Sequence, residues 1–232
     1  MKTLVVLPTY NERENITAIV PAIFQATPEV EVLVADDNSP DGTGDVVRSL
    51  QGKYPHLHLL ARAGKEGLGK AYLAGFRWGL EKGYTAIVQM DADFSHRPED
   101  LKTMIATLPK YDFVMGSRWV AGGGTVNWGL GRKIISRGGS LYARTILGFP
   151  VRDFTGGFNA WKSSTLNKLG LDSVRSEGYS FQIELKYRAL KFGFHGKEVP
   201  IIFADRRVGQ SKMSSRIVVE ALYRVWGLRR SL

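Results

Sequence analysis

Short apolar runs recur along the chain at Leu4 to Leu7, Val30 to Ala35, Leu57 to Ala61, Ala86 to Met90 and Phe113 to Gly116. Runs this short read as buried strands, and strands that alternate with helical stretches predict a mostly parallel sheet covered on both faces. Asn11 is placed to cap a first helix, with Glu14 reaching back to it ahead of Ile16, Ile19, Val20 and Ile23. Leu68, Tyr72, Gly75, Phe76 and Gly79 share a helical spacing, and Pro98 suits the first turn of a helix through Leu101, Met104, Ile105 and Leu108. After Gly116 the regularity weakens. Ala121 to Gly129 reads as a flexible loop, and Arg132 to Leu147 as a helix with Ile134, Ile135, Gly138, Leu141, Tyr142, Thr145 and Ile146 on one face. Phe158 to Trp161 and Val199 to Phe203 are expected in later strands.

The last segment is divided more sharply. Arg216, Glu220, Arg224, Gly227 and Ser231 fall on one narrow helical stripe, while Ile217, Val218, Ala221, Leu222, Val225, Trp226 and Leu228 fill the opposite side; only Arg229 breaks the pattern. Such a helix can pack on the domain core, lie in a lipid interface with its basic residues and Trp226, or dock on a separate membrane subunit. The expected organisation is one main domain over 1–212 followed by a basic amphipathic helix over 213–232.

Composition narrows the chemistry. With 232 residues and 44% hydrophobic content, one α/β domain with a sizeable core is expected. The absence of cysteine removes disulfides, thiolate metal sites and thiol nucleophiles, so metal ligands must be oxygen or imidazole. The apolar start is interrupted at Pro8, too early for a secretory signal, and no window reaches ~18 uninterrupted apolar residues. The expectation is therefore a cytoplasmic protein whose membrane contact is peripheral, on the cytoplasmic face. The net charge is +10, and Asp205 to Leu232 carries seven basic residues against two acidic ones. A basic surface suits nucleic acid, anionic lipid or a phosphorylated substrate alike.

The candidate chemistry gathers at strand ends. Asp91-Ala92-Asp93 closes the run Ala86 to Met90, at the carboxyl end where open α/β sheets bind ligands. Two carboxylates there suit Mg²⁺ or Mn²⁺ held against phosphate oxygens, although Asp-x-Asp alone also occurs in surface loops. Pro8 to Glu12 follows the first strand, Asp36 to Thr43 the second, and Gly116-Ser117-Arg118 the fifth, with a basic loop at Asp205 to Lys212. In a parallel sheet these loops share one crevice, whose acids and bases suit a nucleotide diphosphate. Gly64 to Ala71 nearly matches a phosphate-binding P-loop, but Ala71 stands where the Mg²⁺-binding hydroxyl belongs, which favours a loop leading into the next helix. His56, His58, His96 and His195 lack zinc-site spacing.

Taken together, PTYNERENI at Pro8 to Ile16, DDNSPDGT at Asp36 to Thr43, MDADFSHRPE at Met90 to Glu99, GSR at Gly116 to Arg118 and RKIISRG at Arg132 to Gly138 resemble the family-2 inverting glycosyltransferases, as does the Arg206 to Lys212 loop. Within that family the pattern is similar to the dolichyl-phosphate or polyprenyl-phosphate mannose synthases. The resemblance implies a single Rossmann-like, A-type glycosyltransferase domain. It implies inverting, metal-dependent transfer of mannose from GDP-mannose to dolichyl or polyprenyl phosphate, with Mg²⁺ or Mn²⁺ as cofactor. Carried over by position, Pro8, Tyr10, Glu12, Ala35, Asp37, Asp91, Ala92, Asp93, Arg118, Arg206 and Lys212 would bind the donor. Asp37 would read the guanine edge, and Asp93 would be the main metal ligand, with Ser95 where some relatives carry a Gln. Arg118, Arg132 and Ser136 would hold the acceptor phosphate, and Asp91, Asp93 and Arg118 would be catalytic. Two rivals stand beside this: a related enzyme using UDP-glucose, and a basic nucleic-acid-binding module, which has no recognised motif and would meet repulsion from the strand-end acids.

Overall fold

The computed structural model describes residues 1–205 and 223–230. Its strands are β1 (Thr3–Thr9), β2 (Glu31–Asp36), β3 (Leu57–Ala61), β4 (Ala86–Gln89), β5 (Phe113–Ser117), β6 (Gly124–Thr125), β7 (Asn159–Lys162), β8 (Gly196–Pro200) and β9 (Ile202–Phe203). Between them lie α1 (Arg13–Ala26), α2 (Thr43–Gln51), α3 (Leu68–Glu81), α4 (Asp100–Thr107), α5 (Leu130–Leu147), α6 (Ser163–Leu166) and α7 (Gly178–Lys191). The main sheet has seven strands in the order β3-β2-β1-β4-β7-β5-β8. Every neighbouring pair is parallel except the two made by β7, which runs antiparallel between β4 and β5. The expected α/β class and mostly parallel sheet are both present.

Strand β1 shows why the sheet is covered on both sides. Its side chains alternate: Leu4 and Val6 enter one apolar cluster with Phe76, Trp161 and Phe181, while Val5 and Leu7 enter the other with Ile16, Ile19 and Leu101. Helix α3 lies very close to the sheet, because a Cβ at Gly75 would come within 2.5 Å of Val6 Cγ1 and one at Gly79 within 2.8 Å of Ile87 Cδ1. Only glycine permits that approach.

Several expectations are corrected. Helix α1 begins at Arg13 after Glu12, and Asn11 sits outside it in a left-handed conformation, φ 59°. Its capping groups come from across the crevice: Asn11 N donates to Ser39 Oγ (3.0 Å), Glu12 N to Thr43 Oγ1 (3.1 Å) and Arg13 N to Asp41 Oδ2 (3.1 Å). The loop after β2 thus fastens the loop after β1, a tertiary cap in place of the local box. Pro98 precedes α4, and its carbonyl accepts from Leu101 N at 3.1 Å. The Val199 to Phe203 stretch divides, β8 staying in the main sheet while β9 pairs in parallel with β6. That pairing, with Val126 N donating to Phe203 O at 2.9 Å, gives the glycine-rich loop a defined course.

Helix α5 divides the face expected from its pattern: Tyr142 and Ile146 pack against the core and the rest of that face turns outward. Ser140, Ala143 and Leu147 are buried, whereas Leu130, Ile134, Ile135 and Leu141 are exposed. Of the expected terminal helix, 223–230 is helical; Val225 and Leu228 pack into the core while Tyr223 and Trp226 face outward. Arg229, the residue that broke the stripe, donates Nη1 to the Ile146 carbonyl in the last turn of α5. Residues 206–222 and 231–232, and with them Arg206 and Lys212, lie outside the described residues. Among the described residues no helix is long and apolar enough to cross a membrane.

Candidate active site

The strand-end loops enclose a cavity of about 430 Å³. Its wall contains Pro8, Tyr10, Glu12, Asp37, Asp91, Ala92, Asp93, Ser95, Arg118 and Arg132, so most of the sequence-predicted site converges on one space. Two members do not reach the wall. Ala35 is fully buried in β2, paired with Pro8 and Leu60, and Ser136 stands one turn beyond Arg132 on α5 without touching the cavity.

The acidic side is tightly organised. Asp91 Oδ1 accepts from the Tyr72 hydroxyl at 3.0 Å, and Asp91 N donates to His96 Nδ1 at 3.0 Å. Burial, reinforced by the nearby Asp91 and Asp93, pushes the Tyr72 hydroxyl well above its usual range, so it stays a donor. Burial also holds His96 below its ordinary value; the neutral ring accepts at Nδ1 and therefore carries its proton on Nε2. The ring stacks on Phe158 at 4.9 Å and meets the edge of Phe203 at 5.3 Å, as a structural organiser of the Asp91 backbone. Asp93 Oδ1 accepts from both the amide (3.0 Å) and the hydroxyl of Ser95.

Whether these residues fit a divalent ion follows from their chemistry. Asp93 and Ser95 are buried in the wall and offer hard oxygens. Among the described residues no group of three His, Cys, Asp or Glu is gathered for a metal. An ion here would thus take few protein ligands and complete its shell with phosphate oxygens and water, the usual habit of Mg²⁺.

On the nucleotide side, Asp37 is buried and ion-paired with Arg62, while Glu66 N approaches its Oδ2 at 3.4 Å. The P-loop-like stretch does form part of this wall. Lys65, Gly67, Leu68 and Ala71 line the cavity, and Lys65 Nζ lies 4.2 Å over the Tyr10 ring.

Across the cavity Arg118 is held rigidly. Its Nε and Nη2 donate to Asp153 Oδ2 and Oδ1, both at 2.7 Å, its backbone N–H donates to Asp153 Oδ2 at 3.0 Å, and Nη2 also reaches Thr155 Oγ1 at 2.9 Å. Burial opposes ionisation of Asp153, but Arg118 and then Lys186 outweigh it and bring the carboxyl down to about 2. Lys186 is fully buried and donates Nζ to the carbonyls of Asp153 (2.9 Å), Phe154 (3.2 Å) and Gly156 (2.8 Å). Arg132 is looser: it pairs with Asp205 at 2.7 Å and lies 4.0 Å over Trp128. Asp153, Lys186, Trp128, Gln182 and Glu177 were not anticipated from sequence; the DFTGG stretch at Asp153 to Gly157 was the available signal, since paired glycines beside an acid mark a constrained turn.

Residues 4–170 match the Glycosyl transferase family 2 model. The chain belongs to glycosyl transferase family 2. This glycosyltransferase is 47% identical over 230 residues to an undecaprenyl-phosphate mannosyltransferase of Micrococcus luteus, covering 98% of this chain and 95% of that one. It is 46% identical to a polyprenol monophosphomannose synthase of Mycolicibacterium smegmatis, covering 100% of this chain and 89% of the relative. Among solved structures, glucosyl-3-phosphoglycerate synthase from Mycobacterium tuberculosis with Mn²⁺, UDP-glucose and phosphoglyceric acid superposes with a TM-score of 0.75 at 18% identity, over 99% and 80% of the two chains. A mannosyltransferase from Pyrobaculum calidifontis in complex with GDP-Man and Mn²⁺ gives 0.62 at 17% identity, over 98% and 69%. These distant likenesses establish the A-type glycosyltransferase fold of the family-2 enzyme.

Proposed function

We propose that the enzyme transfers mannose from GDP-mannose to a polyprenyl phosphate, dolichyl phosphate included, with inversion, releasing GDP. The two curated relatives, named for mannosyl transfer to polyprenyl carriers, support this. The observation that carries the lipid part is α5 itself. The helix that sets Arg132 in the cavity wall exposes Leu130 (74%), Ile134 (63%) and Leu141 (61%) along one side. Their positions recur at helical spacing, with Lys133, Arg137 and Arg144 beside them. An apolar stripe flanked by cations suits an anionic lipid surface, and it starts where an acceptor phosphate would meet Arg132. Membrane contact is thus assigned to α5, with the exposed Tyr223 and Trp226 of the terminal helix as further anchors. On this reading the protein works as a peripheral enzyme on the cytoplasmic side.

A phosphate monoester is already anionic at neutral pH, so the acceptor oxygen needs no strong base. Arg118, its plane fixed by Asp153, and Arg132 hold that phosphate; the rigid arginine sets direction and the looser one follows the lipid. One acceptor oxygen forms the new bond to the anomeric carbon as the bond to the diphosphate oxygen breaks on the opposite face, and the electron pair leaves with GDP. A divalent cation held by Asp93, with Ser95 beside it, would stabilise the departing diphosphate. Arg206 and Lys212 are assigned to the same diphosphate by their position in the motif. Asp37 is assigned to the base: its carboxylate can accept both donors of a guanine edge, where uracil offers one.

The test is a donor panel of GDP-mannose, UDP-glucose and UDP-N-acetylglucosamine against a polyprenyl phosphate, with and without Mn²⁺. Mannosyl phosphoryl lipid from GDP-mannose is expected. Product in a UDP-sugar lane alone would overturn the mannose assignment, and in the UDP-glucose lane would transfer it to a polyprenyl-phosphate glucosyltransferase.

A further inference from the structure

Three side-chain amides, Gln89 on β4, Asn159 on β7 and Gln182 on α7, are buried together. An unmade hydrogen bond in such a place is costly, so the partners of a buried row of amides are informative. Trp161 Nε1 donates to Gln89 Oε1 at 2.8 Å, and Asn159 Nδ2 donates to the same oxygen at 3.3 Å. Gln182 Oε1 in turn receives Asn159 Nδ2 at 3.1 Å and Gln89 Nε2 at 3.3 Å. Two donors on that oxygen fix the orientation of the amide, because a flip would set N–H against N–H. Gln182 lines the cavity, and among the described residues its Nε2 has no hydrogen-bond partner.

That buried nitrogen lies beside Gly157, which also lines the cavity. A Cβ built on Gly157 would lie 3.7 Å from Gln182 Nε2, 3.8 Å from Asp91 Oδ2 and 3.5 Å from His96 Cε1. A donor and an acceptor thus both lie within contact distance of one point of the cavity wall, where glycine carries no side chain. We infer that Gln182 Nε2 and Asp91 Oδ2, both beside Gly157, receive neighbouring hydroxyls of the donor's sugar, which makes Gln182 a specificity-determining residue. This rests on the sugar-nucleotide reading above. A diol matches the pair because one hydroxyl gives its proton to the carboxylate while the other accepts from the amide. A phosphate oxygen does not match, since Asp91 repels it.

The experiment compares wild type with Gln182→Met and Gly157→Ala, using GDP-mannose, its monodeoxy-sugar analogues and GDP alone. Methionine keeps the length but also removes the acceptor used by Gln89 and Asn159. Alanine at 157 leaves the network whole and makes no contact closer than 3.5 Å. Both variants are expected to lose roughly 10- to 100-fold in kcat/KM for GDP-mannose while GDP affinity stays within about twofold. In wild type, removal of one particular hydroxyl should cost about 10-fold or more, and Gln182→Met should show no further loss with that analogue. Equal penalties across the series in wild type and variant, or a parallel fall in GDP affinity as for a ribose contact, would overturn the inference and leave GDP-mannose turnover intact. A wild type that turns over no sugar nucleotide would remove the reading beneath it as well.

Discussion

Replacing Asp153 by Asn keeps the shape of the side chain and removes its charge, which isolates what the Arg118 clamp contributes. The fall of the Asp153 carboxyl from its ordinary 3.8 to about 2 corresponds to about 2 kcal/mol favouring the folded state. That figure counts only protonation. Asparagine also turns an N–H₂ toward the guanidinium where an oxygen accepted at 2.7 Å, and leaves the Arg118 and Lys186 cations without their buried counter-charge. Breaking a buried pair in this way costs about 3–5 kcal/mol, so the larger effect governs. The expected thermal midpoint falls by roughly 6–20 °C for a domain of this size. Urea denaturation at pH 7 measures the loss directly. The sign with pH follows from the depressed value: the wild-type contribution is complete above the unfolded carboxyl's pKa and disappears as pH falls through about 2, whereas the variant lacks that acid-sensitive part. With Arg118 no longer held in one plane, kcat/KM for the lipid acceptor should drop about 10²-fold while GDP affinity is retained. A variant with a stability loss under about 1 kcal/mol and an unchanged acceptor KM would refute the clamp.

Other outcomes follow from separate parts of the molecule. Asp93→Asn should lower kcat by roughly 10²-fold or more and weaken the response to added Mn²⁺, measured in a metal titration of the transfer assay. Gly75→Ala should destabilise the fold by about 1–2 kcal/mol: overpacking against Val6, at 2.5 Å, exceeds the ~1 kcal/mol gain in helix propensity. A raised urea midpoint would contradict the close approach of α3. Burial, partly offset by Asp153, lowers Lys186 from 10.5 to about 8, so the unfolded chain binds the extra proton between those values. Stability should therefore gain a rising component from about pH 8 to 10.5 that Lys186→Met abolishes. Paired Ile134→Ser and Leu141→Ser changes should cut binding to anionic vesicles by about 10-fold or more in a co-sedimentation assay, each removing part of the 1.5–3 kcal/mol that burying such a side chain can contribute. Unaltered binding would place the lipid contact elsewhere.

Sequence pattern located the sheet because its strands lie between two apolar layers and therefore read as continuous apolar runs, Leu4 to Leu7 being the simplest. It failed at α7 for an equally physical reason. From Phe181 to Ala189 apolar and polar residues alternate, Phe181, Ile183, Leu185, Tyr187 and Ala189 against Gln182, Glu184, Lys186 and Arg188, a period that suggests a strand. From 180 to 189 the helix is buried all round, so it shows no apolar stripe. Its charged residues are tolerated because they have defined partners: Arg188 binds Glu184 one turn away and the Ser173 carbonyl, and Lys186 binds three carbonyls of the 153–156 turn.

The site divides along the same line. Asp91, Asp93, Tyr10 and Arg118 stand at strand ends, where chain direction alone aims them into the crevice, and a short motif carries that information. Asp153 and Lys186 act by holding Arg118 or the turn beside it, from 33 residues away in the case of the Lys186 bond to the Asp153 carbonyl. No local spacing encodes such a partnership. It becomes visible only as a physical anomaly, a lysine and an aspartate both fully buried, and an anomaly of that kind persists in a fold when a third group, here the Arg118 guanidinium, has to be kept in one orientation at the edge of a cavity.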